Sequence, residues 1–295
     1  RRPEQRADTR VDFAREEDRG TAVDTLRPLR VEGLINGVPA MRNILGSAIG
    51  ASQRKDWYDR PGPIPDDVLT AMQAKLKLGW WSLQYGIYGR AETVKAHARI
   101  AAEAFGKVAG ATVDTEIVEG AALAGPTRGG AGSRAGIPGL NALGIVDWRG
   151  GAAGGHIDFS PVLPPRGADA LKLHRMARAI IEGGGQDYMA TFYNFGRAMA
   201  LICAITFSKT DDAETARVRR LFSRLIKDVG AAGYGEYRTH ISYMDEVAAL
   251  YSWNDSALAR FNVRIKDALD PAGILSPGKQ GLWPARYRSN RKAVS

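Results

Sequence analysis

Hydrophobic residues recur along this chain with two different periods. Residues 66–77 carry apolar side chains at helical spacing, which predicts a helix that begins after Pro65 and stops before Gly79. Directly afterwards, every second residue from Trp81 to Ile87 is apolar. This alternation predicts a strand with one buried face.

The same periods predict more elements along the chain. We expect helices at 91–105, 168–182, 213–229 and 255–268, and strands at 112–118, 156–162, 188–194 and 199–207. Residues 120–139, which are rich in glycine, predict a long surface loop. The order of elements is the split βαβ pattern, so we predict an α+β fold with a ferredoxin-like antiparallel sheet covered by helices.

Composition narrows the classes of function. The chain has 295 residues, 44% of them hydrophobic, and its most apolar run, 199–207, is too short to span a membrane. The net charge is +9, but lysine and arginine are interleaved with acidic residues, so we expect neither a nucleic-acid nor a membrane partner. Cys203, the single cysteine, excludes an intramolecular disulfide, and no cluster of histidine or cysteine predicts a metal site.

Residues 234–244 carry the most informative motif. Tyr237 and Arg238 are adjacent and offer a phenol hydroxyl and a planar guanidinium with five donors, a combination that suits a small aromatic anion. Glu236 and His240 flank the pair and can orient it. From these residues alone, an ion-paired arginine beside a core tyrosine is the favoured interpretation.

A second set of polar residues lies in the strand predicted at 156–162. Alternation places His156, Asp158 and Ser160 on one face, and Ile157 and Phe159 on the other. Polar groups therefore line the face opposite the core. A histidine in such a position is ordinarily a solvent-facing or hydrogen-bonding residue.

These motifs, in their order and spacing, resemble the C-terminal region of the vanillyl-alcohol oxidase / p-cresol methylhydroxylase family of flavoproteins. The segments that carry the resemblance are 23–30, 78–89, 156–161, 234–244 and 270–284. The resemblance implies FAD as the cofactor and a small phenol as the substrate. It covers most of the chain.

The resemblance also implies roles for individual residues. Tyr237 and Arg238 would be catalytic and hold the phenolic oxygen, with Arg238 also near the flavin. His156 would be the point of covalent attachment of FAD, and Ser160 would face the substrate pocket. Lys279 would lie at the N1–C2 carbonyl edge of the flavin.

The implied reaction is oxidation of a para-substituted phenol such as vanillyl alcohol, eugenol or p-cresol. Hydride would pass from the benzylic carbon to flavin N5, leaving a quinone methide to which water adds. Two alternatives stay open. The Tyr-Arg pair could hold the carboxylate of a 2-hydroxy acid in an FAD-dependent dehydrogenase, or the chain could be an inactive fragment that serves only as an assembly module.

The resemblance implies a domain organisation as well. The chain begins at Arg1 without a methionine or an apolar signal segment, so we expect an N-terminal FAD-binding domain to be missing. Residues 1–13 would be the tail of that domain, 14–230 the substrate (cap) domain, and 231–295 the C-terminal piece that returns to the p-cresol methylhydroxylase-type FAD-binding domain. Apolar surface around Tyr243, Met244, Leu250 and Trp253 would then be exposed.

The remaining expectations concern partners and location. We expect a homo-oligomer, and a c-type cytochrome as redox partner if the enzyme is a dehydrogenase. The cytoplasm is the expected location, with the periplasm as the alternative.

Overall fold

A computed structural model describes residues 3–49, 52–124 and 140–291. Within these ranges, eight strands joined by antiparallel pairing form a single sheet. The strands are β1 (Gln5–Phe13), β2 (Ala40–Asn43), β3 (Trp81–Gly89), β4 (Ala111–Glu119), β5 (Gly154–Phe159), β6 (Val162–Leu163), β7 (Met189–Asn194) and β8 (Met199–Ser208). Their order across the sheet is β4-β1-β3-β2-β7-β8-β5, with β6 also paired to β8. β5 therefore lies at one edge.

The same ranges contain nine α-helices. They are α1 (Arg19–Val31), α2 (Ile44–Ala48), α3 (Asp66–Leu76), α4 (Ala91–Gly106), α5 (Gly167–Gly183), α6 (Asp212–Ala231), α7 (Met244–Leu250), α8 (Trp253–Leu269) and α9 (Ala285–Arg291). The apolar stripes of α1, α4, α5 and α6 cover one face of the sheet and form the main core. A smaller core on α2, α3 and Trp148 includes Met189 and Ala204 from the strands.

The predicted α+β class, an antiparallel sheet covered by helices, is confirmed. The predicted helix at 66–77 is α3, and the alternating residues of 81–87 form β3. Each apolar residue on that face of β3, from Trp81 to Ile87, is at most 1% exposed. The strand predicted at 156–162 is instead split into β5 and β6, because Ser160 and Pro161 interrupt it. The other predicted helices and strands are present with ends shifted by a few residues, and Cys203 is buried as predicted.

The predicted placement of residues 1–13 outside the cap domain is corrected by β1. This strand lies between β3 and β4 and pairs with both along its whole length. Ala7, Val11 and Phe13 are fully buried in the main core. Because a strand inside a sheet bonds on both sides, β1 is part of the cap sheet. The division near residue 230 stays a prediction.

A second correction concerns the surface near residue 243. Tyr243 and Met244 are buried at 7% and 6% exposure, and Leu250 is half-buried, because this segment packs on α6. The rings of Phe222 and Tyr243 lie 4.5 Å apart. Trp253, in contrast, is 82% exposed, as expected. Of the predicted loop at 120–139, residues 120–124 form a 3-10 turn, and the rest lies outside the described residues.

Candidate functional site

The site begins at an interruption in the edge of the sheet. β5 and β6 pair with the same strand, β8, and are separated by Ser160 and Pro161. Residues 235–237 attach to the outer side of this interruption. The N–H of Val162 donates to the carbonyl of Gly235 at 2.9 Å, and the N–H of Tyr237 donates to the carbonyl of Ser160 at 3.3 Å. The Tyr-Arg motif is therefore held against the strand that carries His156.

Asp158 joins the two motifs through its side chain. Its Oδ2 lies 3.7 Å from Nε2 of His156 and 3.7 Å from Nη2 of Arg238. The Asp158 carboxylate raises the pKa of His156 above its ordinary value, although partial burial and the Arg238 charge act in the opposite direction. A histidine cation, a carboxylate and a guanidinium can thus form a continuous charged cluster.

The Tyr-Arg pair itself is open to its surroundings. Tyr237 is 48% exposed, and the side chain of Arg238 is 62% exposed. The guanidinium carbon lies 5.9 Å from the centre of the Tyr237 ring, which is within the range of a cation–π contact. The interpretation of Tyr237 as a core tyrosine is therefore wrong, and both side chains can meet a ligand.

Ser160 and Glu236 lie buried beneath this surface. Ser160 is fully buried, and its N–H donates to Oε1 of Glu236 at 2.9 Å. Burial is the largest influence on Glu236 and raises its pKa to about 7. The Tyr251 hydroxyl donates to the Glu236 carbonyl at 2.8 Å, which holds the backbone from the other side.

Lys279 and His240 lie apart from this cluster. Lys279 is exposed on a 3-10 turn, Lys279–Gly281, that packs on α7, where the N–H of Gln280 donates to Sδ of Met244 at 3.2 Å. His240 is also exposed, and its Nδ1 accepts from the N–H of Ser242 at 3.2 Å. The predicted flavin contact of Lys279 stays a prediction.

Within residues 3–49, 52–124 and 140–291, no three histidine, cysteine, aspartate or glutamate side chains are grouped so that they could hold a metal ion. No helix in the same part is both long and apolar enough to cross a membrane.

The arrangement fits a flavin with a bound phenol. His156 lies on the edge strand with 31% of its side chain exposed, so a large planar group can reach its ring. Arg238 supplies a fixed positive charge beside it. The Ser160 hydroxyl is buried without a hydrogen-bond partner among the described residues, which leaves a donor free for a ligand or a water molecule.

For two residues of the site, the sequence did not predict the structural setting. Asp158 was placed on the correct face, but its link to Arg238 depends on the pairing of segments about 80 residues apart. The burial of Glu236 also had no signal in the sequence, because a glutamate beside a tyrosine and an arginine is usually at the surface.

Comparisons with known proteins find similar chains. Residues 150–280 match the family model described as FAD linked oxidases, C-terminal domain. The chain is 32% identical over 273 residues to the 4-cresol dehydrogenase (hydroxylating) flavoprotein subunit of Pseudomonas putida, an alignment that covers 92% of this chain and 51% of that relative.

Two solved structures are similar over nearly the whole chain. The 4-ethylphenol oxidase from Gulosibacter chungangensis, in complex with isoeugenol, has 30% identity and a TM-score of 0.88, and the match covers 97% of this chain and 55% of that one. p-Cresol methylhydroxylase with substrate bound has 31% identity and a TM-score of 0.86, with 95% and 53% covered. The chain thus spans about half the length of these relatives.

The sheet and these matches define a chain of the FAD-linked oxidase class, with the C-terminal domain model matched at residues 150–280. Such domains work in proteins that use FAD as their cofactor. The chain belongs to the vanillyl-alcohol oxidase / p-cresol methylhydroxylase family of flavoproteins.

Proposed function

We propose that the protein containing this chain is an FAD-dependent oxidoreductase that oxidises para-substituted phenols. The observation that carries the proposal is the exposed Tyr237–Arg238 pair, which is anchored on the edge strand and joined to His156 through Asp158. The relatives named as 4-cresol dehydrogenase and 4-ethylphenol oxidase support it. Vanillyl alcohol, eugenol and p-cresol represent the substrate class.

Recognition of the phenol begins with charge. The guanidinium of Arg238 carries a positive charge, so it stabilises the phenolate form of the substrate over the neutral phenol. Its guanidinium has five donors, so Arg238 can keep its contact with Asp158 while it donates to a phenolate oxygen. The Tyr237 hydroxyl supplies a second donor for the same oxygen. Ionisation of the phenol pushes electron density towards the para carbon and weakens the benzylic C–H bond.

The cofactor would be held by His156 and Lys279. When bound, FAD supplies the acceptor for the hydride that the substrate loses. His156 can form the covalent attachment, and the cation of Lys279 can stabilise negative charge at the N1–C2 edge. Ser160 bonds through its carbonyl to the N–H of Tyr237. Its hydroxyl is buried without a partner among the described residues, and it would face the substrate pocket of the complete protein.

The electron acceptor and the assembly are further parts of the proposal. The Pseudomonas putida relative is named as a flavoprotein subunit, which supports a partner protein for this chain as well. We propose that the protein forms a homo-oligomer, and that either oxygen or a c-type cytochrome takes up the electrons. A cytoplasmic location is proposed, with the periplasm as the alternative.

Flavin reduction by different substrate classes tests the proposal. The protein would be expressed from its complete reading frame, purified with its flavin, and mixed without oxygen with 4-ethylphenol or with a 2-hydroxy acid such as lactate. We expect 4-ethylphenol to bleach the flavin absorbance and lactate to leave it unchanged. Bleaching by lactate alone would assign the Tyr-Arg pair to a carboxylate, and a protein without flavin would support an assembly module.

A further inference from the structure

Glu236 lies at the point where the Tyr-Arg segment meets the sheet. It is 4% exposed, and its Oε1 accepts from the N–H of Ser160 at 2.9 Å. Residue 236 also forms an isolated antiparallel bridge with Pro161. The glutamate therefore occupies, with both its backbone and its side chain, the seam that fixes Tyr237 and Arg238 against β5.

Three buried polar atoms around this seam have no hydrogen-bond partner in the described part of the chain: Oε2 of Glu236, Oγ of Ser160 and Oγ1 of Thr239. The Thr239 hydroxyl lies near the Glu236 carboxyl and lowers its pKa, but burial has the larger effect and raises it. A carboxylate buried with one unpaired oxygen is costly, whereas a neutral carboxylic acid is much less so. The raised pKa of Glu236, about 7, agrees with this geometry.

The charged and titratable groups that face Glu236 lie on four different segments. Asp158 on β5 favours the neutral form of Glu236, and Arg238 on its own segment favours the ionised form. Two groups whose pKa values are raised in part by the Glu236 charge also face it, Cys203 on β8 and Tyr251 after α7. Asp158 in turn lies 3.7 Å from Nε2 of His156.

We propose that Glu236 is a positioning residue that works as a neutral acid, holding the Tyr237–Arg238 segment on β5 for an anionic ligand. The proposal rests on the proposed function, since the anion is the phenolate. When Glu236 ionises, its carboxylate attracts the guanidinium of Arg238 and repels the phenolate that Arg238 binds. Substrate binding therefore weakens as Glu236 loses its proton.

The test uses Glu236→Gln in the flavin-containing protein expressed from its complete reading frame. Glutamine keeps an oxygen that accepts from the Ser160 N–H and stays neutral at every pH. Glu246→Gln is the matched control, because Glu246 is an exposed glutamate on α7. The steady-state kinetics of 4-ethylphenol oxidation would be measured from about pH 6 to about pH 9, a range that spans the Glu236 titration.

The readout is the ratio of kcat/KM between wild type and Glu236→Gln. This ratio cancels the ionisation of the substrate and of His156, which both proteins share. We expect the ratio to fall by about fivefold or more as pH rises through 7, mostly through KM, and the Glu246→Gln ratio to stay flat. A flat ratio for Glu236→Gln in a protein that oxidises phenols would overturn the inference and leave the proposed function intact. No oxidation of phenols would overturn the function instead.

A second measurement uses only the wild-type protein, so it tests the inference even if Glu236→Gln does not fold. Infrared difference spectra would follow the band of a protonated carboxyl group as pH rises. We expect the band to disappear with a midpoint near 7, and 4-ethylbenzoate, an aromatic anion, to move that midpoint upward. A carboxyl band that is missing near neutral pH, or that does not respond to the anion, contradicts the inference.

Discussion

Nη2 of Arg238 lies 3.7 Å from Oδ2 of Asp158, although the two residues are 80 positions apart in the chain. This contact fixes the guanidinium beside the histidine that we expect to carry the flavin. Most of the Arg238 side chain is still exposed, so Asp158 does not occupy all five N–H donors of the guanidinium. Asp158 therefore orients Arg238 and leaves N–H donors of the guanidinium for the substrate anion.

Replacement of Asp158 by Asn should lower the pKa of His156 towards its ordinary value. The raised pKa stabilises the fold at pH values below the ordinary pKa of histidine, and this contribution is lost as pH rises through the raised pKa. Asp158→Asn should therefore reduce stability most at acidic pH. NMR titration of the His156 ring in the flavin-free chain measures the shift, with Asp59→Asn, at an exposed loop residue, as control. An unchanged pKa would refute the contact.

Covalent attachment of FAD to His156 is a separate prediction. Acid precipitation of the protein expressed from its complete reading frame should leave the flavin on the polypeptide, and peptide masses should place it at His156. His156→Ala should bind FAD only reversibly, with a less oxidising flavin. Flavin that is released by acid, or that is found on another residue, would refute the assignment.

His174 predicts a loss of stability in acid. Its Nε2 lies 2.9 Å from Oε1 of Glu16, and its Nδ1 lies 3.1 Å from the Tyr188 hydroxyl. Burial lowers the pKa of His174 from 6.5 to about 4, so the folded protein resists protonation that the unfolded chain accepts. This contribution to the free energy of unfolding is fully present above pH 6.5 and falls by on the order of 2–3 kcal/mol as the pH decreases towards 4.

Urea unfolding between these pH values measures the effect. His174→Gln should be less stable than wild type near neutral pH but should lose less stability on acidification, because no buried imidazole has to be protonated. His97→Gln, on α4, is the control and should show the acid dependence of wild type. Glu16, whose pKa is lowered to about 2 chiefly by its bond to His174, adds stability above 4.5 that is lost as pH falls through 2.

The exposed apolar residues of α8 predict self-association of the isolated chain. No residue of this helix is buried, and Leu258 and Phe261 are 54% and 61% exposed on the same side. The double substitution Leu258→Ser and Phe261→Ser should increase the monomer fraction measured by light scattering. Val38→Ser, at a residue 49% exposed elsewhere, should not. A wild-type chain that is monomeric at high concentration contradicts the prediction.

Periodicity in the sequence predicted the elements that have a clean apolar face. β3 and α3 were predicted nearly to the residue, because their apolar side chains follow one period without interruption. β1 was missed because its second face is charged. Arg6 and Asp8 on that face are buried as an ion pair at 3.0 Å, a pattern that hydrophobicity alone does not reveal.

The candidate site was only partly predictable, because the contact between its two motifs is not encoded in a local pattern of residues. Alternation over the predicted strand 156–162 placed His156, Asp158 and Ser160 on one face, but β5 ends at Phe159 and Ser160 is fully buried. The Tyr-Arg motif was evident from its residue types. The contact between the two depends on the backbone bonds of Ser160 and Val162 with residues 235–237, which are long-range pairings. Local patterns carry no information about such pairings, so the burial of Glu236 followed only from the structure.

The most direct test of the central claim compares Arg238→Lys with wild type on two substrates. Lysine keeps the charge but loses the planar fork of donors, so kcat/KM for 4-ethylphenol should fall by about two orders of magnitude. The O-methylated analogue 4-ethylanisole, which cannot form a phenolate, should react equally poorly with both proteins. Arg220→Lys, on the exposed side of α6, should match wild type. Near-wild-type oxidation of 4-ethylphenol by Arg238→Lys would contradict the assignment of this site to the phenolate.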